Sequence, residues 1–207
     1  MDTITKHIQI ILFLGALWGI FEATAGHVLH LLPYGISGMI MFPIGFYFMY
    51  YAYLHTGHER AIIMTGFIAG TIKLTGFLLP TKTPMSVLNP AMAIVLESLI
   101  VFGFIKIFRT KAKLVETIGL GFAWIIAFTL MQGILIKPDD GLYMQPVLFL
   151  LAALCISAII SGSIIYLFLK KQDFAPFKPS LSKQTYAVPV ITLQTAVILE
   201  IVTSMIF

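Results

Sequence analysis

The chain has 207 residues, 59% of them apolar and 11% charged, with a formal charge of +4 and a mean hydropathy of +0.98, outside the usual range of water-soluble domains. Its basic residues lie between apolar runs instead of forming one face or stripe, which argues against a nucleic-acid partner and marks them as topology signals. Cys155 is the only cysteine and lies inside an apolar run, so neither a disulfide framework nor a thiolate metal cluster is available.

A helical span needs about 20 mostly apolar residues, and runs of that length predict helices over 7–32, 34–54, 60–80, 89–108, 116–136, 146–169 and 187–207. The first run lacks a basic n-region and a small-residue cleavage site and is too long for a signal peptide, so it reads as a retained helix. Within it, GALWGIFEATAGHVLHLLPYG (residues 15–35) sets Gly15, Gly19 and Gly26 on one stripe around Glu22. Such a stripe admits close backbone approach, either by helices of the same chain or by a partner. His27 and His30, one turn apart, can meet a metal or haem or simply bond water and loop backbone. Glu22 is poorly placed as a third ligand, being well round the helix from His27.

In the second helix, Tyr47, Tyr50, Tyr51 and Tyr53 with Phe46 and Phe48 predict an interfacial aromatic belt. Asn89-Pro90 is the expected start of the fourth helix, a capping residue followed by the imino acid tolerated at the first position, and Pro146 has the same part in the sixth. Trp18, Trp124 and Gln132 read as packing or interhelical hydrogen-bonding groups. Segment 170–186, KKQDFAPFKPSLSKQTY, is the one stretch that reads as a linker. It divides the chain into a six-helix core, 1–169, and an additional C-terminal helix, 187–207. The fold class is therefore an all-α polytopic membrane bundle.

Threading the helices alternately puts Lys6, Arg60, Lys106, Arg109, Lys111, Lys113, Lys170, Lys171, Lys178 and Lys183 on one side and only Lys82 and Lys137 on the other. By the positive-inside rule the N-terminus and the loops 55–59, 109–115 and 170–186 are cytoplasmic. The loops near residue 33, at 81–88 and at 137–145 face outward.

Ionisable groups inside spans cost a few kcal/mol each and usually face a partner, a cavity or water. Glu22, Lys73, Glu97 and Glu200 are such groups. At 1.5 Å per residue, the first three lie at one level, roughly 10–15 Å below the outer surface. Lys73 and Glu97 sit on antiparallel neighbours and are the expected ion pair, as part of a binding site or as a staple that fixes helix register. With one lysine among the carboxylates, the balance points to a zwitterionic or mixed-charge ligand. Glu200 stands alone in the last helix, without an assigned role. The sequence has no P-loop, HExxH, GxSxG, dinucleotide fingerprint or acidic metal-diphosphate motif. The expectation is a non-enzyme without a metal or cofactor.

With GALWGIFEATAG, about six tightly spaced helices, a cytoplasmic N-terminus and LLPTKTPMSVLNPAMAIVLESL (residues 78–99), the chain resembles the substrate-binding S components of energy-coupling factor transporters over roughly residues 1–170. The seventh helix is not part of that family's usual six. The resemblance implies capture of a vitamin, cofactor precursor or metal complex near the outer side of a prokaryotic plasma membrane. Delivery would be energised by a transmembrane T component and a pair of ATPases. It also implies that Gly15, Gly19 and Ala23 dock the partner and that loop 81–88 gates the site. On this reading Glu22, Lys73, Asn89 and Glu97 bind the ligand, while His27 and His30 line the entrance. The alternatives are a membrane scaffold or assembly subunit with a structural ion pair, and an intramembrane redox protein with a haem or metal on the histidines.

Overall fold

In a bilayer every backbone amide must be satisfied within its own segment, and the chain meets this condition with helices. The computed structural model describes residues 3–29, 31–32, 35–80, 82–109, 111–137, 141–171 and 187–206. Among these are seven long helices and no strand. α1 (3–29) runs as an α-helix over Thr3–Phe21, loosens into a π turn at Glu22–Gly26 and closes with His27–Leu29. α2 is Ile36–Thr56 and α3 is Arg60–Leu78, its last turn 3₁₀. α4 is Pro84–Phe108, and α5, Leu114–Ile136, ends in a second π turn at Gln132–Ile136. α6 is Val147–Lys170 and α7 is Ala187–Ile206, with a short 3₁₀ turn Leu142–Met144 between α5 and α6.

Six of these, all but α2, are long and apolar enough to cross a membrane, and the protein is a multi-pass membrane protein. Its outer surface is correspondingly greasy: Val115, Ile107, Leu148, Val147, Leu135 and Leu78 are all largely exposed, a distribution stable only against lipid. α2 carries more aromatic and polar side chains and lies further inside, burying Phe42, Phe46, Met49 and Tyr50 in the core.

The fourth helix starts earlier than Asn89-Pro90 predicts. Thr83 caps it, its hydroxyl accepting from Ser86 N at 3.3 Å, and Pro84 takes the first-turn position where a missing N–H costs nothing. Most of the stretch 81–88 expected as a gating loop is thus helical. The aromatic group of α2 is a second correction. Phe46, Phe48, Tyr50 and Tyr51 are buried and pack into the core, and of the group only Tyr47 is substantially exposed. Linker residues 172–186 lie outside the described residues.

Helices approach closely where side chains are small, as expected without a hydrophobic drive between helices in lipid. α5 and α6 meet through Thr117 and Gly121 on one side and Ala158, Ser161 and Gly162 on the other. A Cβ at Gly121 would stand 2.6 Å from the Ala158 carbonyl, and one at Gly162 2.6 Å from the Thr117 carbonyl. The stripe on α1 works the same way against α3. A Cβ at Gly15 would lie 2.8 Å from Ile68, one at Gly19 would collide with Ile72, and Ala23 is fully buried. Gly15, Gly19 and Ala23 are therefore covered by their own chain and do not form an exposed docking face.

α7 packs along α1 and touches the end of α3, burying Pro189, Ala196, Glu200 and Ser204. The rings of His7 and His58 stand 5.3 Å apart, so the start of α1 and the α2–α3 loop share one end of the bundle. Gly162→Val should lower the thermal midpoint in detergent by the equivalent of about 1–3 kcal/mol through overpacking. Gly103→Ala, where nothing lies within 4 Å of the added carbon, should leave it unchanged.

Candidate functional site

Six positions were expected to form one cluster, and the structure divides them. Lys73 pairs not with Glu97 but with Glu200 of α7, Nζ to Oε2 at 2.9 Å and to Oε1 at 3.2 Å. Its third donor reaches the Glu22 carbonyl at 3.3 Å, so the three protons of the ammonium are all engaged. A backbone carbonyl has two lone pairs and can accept a side-chain donor in mid-helix; this one belongs to the first residue of the π turn. Ser204, one turn beyond Glu200, donates to its Oε1 at 3.1 Å and lies 3.4 Å from His27 Nε2. His27 Nδ1 is 2.9 Å from the Ala23 carbonyl. Lys73 and His27 therefore belong to a fastening between α1, α3 and α7, and Glu200 is its counter-charge. His30 lies outside the described residues.

The remaining members face a cavity of about 260 Å³, near the low end of the size of small-molecule sites. Glu22 enters from α1, Asn89 and Glu97 from α4, and Trp124 and Gln132 from α5. Gly35, Ser37, Gly38 and Met41 of α2 and its approach form another wall, and Gly141 and Leu142 line the cavity from the α5–α6 connection. Glu22 Oε1 accepts from Trp18 Nε1 at 3.2 Å. Gln132 Nε2 donates to Asn89 Oδ1 at 3.3 Å, which ties α4 to α5 across the cavity. Trp124 stacks on Phe42 and Phe128, with ring centroids 5.2 Å apart in both pairs.

Three polar atoms on this lining have no hydrogen-bond partner: Glu97 Oε2, Trp124 Nε1 and Gln132 Oε1. All three side chains are more than nine-tenths buried. Leaving one such group unsatisfied costs about 1–3 kcal/mol, and these three face one cavity. Glu22 and Gln132 each occupy the first position of a π turn, a backbone irregularity that is common at functional sites. Gly45 leaves room for the carboxylate and the indole of Trp18. A Cβ there would come within 2.8 Å of Glu97 Oε2 and 2.6 Å of Trp18.

Of the expected binding residues, then, Glu22, Asn89 and Glu97 line the cavity. Trp124 and Gln132 were read from the sequence as packing or interhelical hydrogen-bonding groups, which the stacking of Trp124 and the Gln132–Asn89 bond agree with, and Glu200 was left without a role. Among the described residues no group of three metal-ligating side chains is found. No known family model matches the chain, and neither any curated protein nor any solved structure matches it.

Removing one member of a buried pair strands the other charge and costs about 3–5 kcal/mol, whereas replacing both with apolar groups is often neutral. Lys73→Met should therefore lower the unfolding midpoint sharply, and Lys73→Met combined with Glu200→Met should recover most of the loss in the same thermal assay.

Proposed function

We propose that this protein is a membrane-embedded capture subunit that takes a small water-soluble nutrient into the cavity between α1, α2, α4 and α5 for delivery across the membrane. The observation that carries this reading is the cavity itself: a largely apolar chamber with a few convergent polar groups, three of them buried and lacking partners. A bundle that served only as a scaffold gains nothing from such a chamber, because each unsatisfied group weakens it. The Lys73–Glu200 pair, by contrast, has the character of a staple.

The role is binding and transfer, not catalysis, and the energy comes from separate chains, a transmembrane partner and an ATPase pair, as in the energy-coupling factor transporters. That partner docks elsewhere than on Gly15, Gly19 and Ala23, which α3 and the surrounding helices cover. On this reading the N-terminus is cytoplasmic, by the positive-inside bias of the basic loops, and the cavity faces the outer side of a prokaryotic plasma membrane. Reorientation or local opening near Gly35 and Gly141 then admits the ligand.

Native mass spectrometry of the protein, gently solubilised from its own membranes, should record a bound small molecule or an assembly containing ATPase subunits. An empty chain held in an unrelated complex would move the scaffold reading to first place. Gly38 lines the cavity with only Trp124 Nε1 near an added carbon, at 3.9 Å, so Gly38→Leu should fill the chamber and abolish ligand retention without loss of folding. For orientation, Cys155→Ala removes the native thiol. In that background, Met144→Cys should react with an impermeant maleimide on intact cells and His58→Cys only after permeabilisation; the reverse pattern would invert the topology.

A further inference from the structure

The chemistry of the cavity is one-sided. Its titratable lining groups among the described residues are Glu22 and Glu97, with no lysine, arginine or histidine among them. Lys73 is the one basic residue within the membrane-spanning part of α3, and its three donors go to Glu200 and the Glu22 carbonyl. Both Glu200 oxygens in turn are spent on Lys73 and Ser204. No lining residue supplies a positive charge to these two carboxyl groups: Lys73 lies close to Glu22 but is held by Glu200, and negative charge buried in a low-dielectric interior is costly unless something positive joins it.

We infer that the occupant of the cavity between α1, α2, α4 and α5 is a small organic cation: a protonated amine on a compact, flat, partly apolar body with one hydrogen-bond acceptor. This rests on the capture reading and names its ligand class. Each part answers an atom on the lining. The ammonium meets Glu97 Oε2, which has no donor, and Glu22 beside it. A further N–H meets Gln132 Oε1, the oxygen left over when that amide donates to Asn89. The acceptor takes the unpartnered Trp124 N–H. The flat body lies against Met41, Ile94 and Phe128. A bare metal ion fits less well, because the chamber is many times the volume of an ion and its walls are largely aromatic and aliphatic. Charge-assisted hydrogen bonds of ammonium to carboxylate are about twice as strong as neutral ones, so charge dominates selectivity.

The test uses one ring with three charges: picolylammonium, the neutral pyridylmethanol and the anionic pyridinecarboxylate. Each is added at millimolar concentration to the full chain in detergent, and binding is read by equilibrium dialysis and by thermal shift. Picolylammonium should bind at least about tenfold more tightly than the other two. Glu97→Gln should erase that preference and Glu97→Asp should restore part of it. Glu22→Gln, which keeps an acceptor for Trp18, gives a second variant should Glu97→Gln fail to fold. Equal or tighter binding of the alcohol or the carboxylate, lost in Gly38→Leu, would overturn the cation assignment and leave the capture reading standing. Binding of none of the three would overturn the assignment, and retention of a native ligand by Gly38→Leu would overturn the capture reading itself.

Discussion

Charge is what a bilayer interior tolerates least, and this chain carries one lysine and three carboxylates inside its spans, Lys73 against Glu22, Glu97 and Glu200. Where the single cation goes decides how the remaining groups behave. It goes to Glu200, 127 positions away along the chain. That choice fastens α7 to α3 and, through the Glu22 carbonyl, to α1. It also leaves the other two carboxylates facing a cavity, Glu22 near that lysine and bonded by Trp18 but in no ion pair, and Glu97 with one oxygen unbonded.

The two halves of this arrangement do different work and meet at one residue. Glu22, the first residue of a π turn, gives its backbone oxygen to the fastening and its side chain to the chamber. Gln132 likewise begins a π turn, on α5, and its side-chain amide reaches Asn89 across the chamber. Around them the bundle is drawn tight by small residues, Gly15 and Gly19 against α3 and Gly121 and Gly162 between α5 and α6. The chamber persists because polar groups line it and Trp124, stacked between neighbours, holds part of its wall.

The proposed capture of a solute follows from this division. A membrane protein that needed only stability would pair its charges or omit them, and Lys73 with Glu200 shows the chain doing the former. Glu97, buried beside Gly45 and Trp18 with an oxygen unbonded, is not explained by stability. The proposed ligand is what would complete its bonding.

The sequence by itself determined the seven helices, their order and their class, because a span must be long and apolar and its backbone satisfied within itself. It also determined depth: a rise of 1.5 Å per residue put Glu22, Lys73 and Glu97 toward the same end. It did not determine direction around each helix. Helices apolar on every side carry no periodic stripe from which to read an inward face, so nothing local told Lys73 to turn toward α7 instead of α4. Asn89-Pro90 misled for a related reason: Thr83-Pro84 offers the same signal a turn and a half earlier, and only packing chose between them. Likewise the glycine stripe was legible as a close-contact surface, but its partner, α3, was not. Which helices become neighbours, and therefore which charges meet and which are left facing a cavity, is a property of the packed bundle alone.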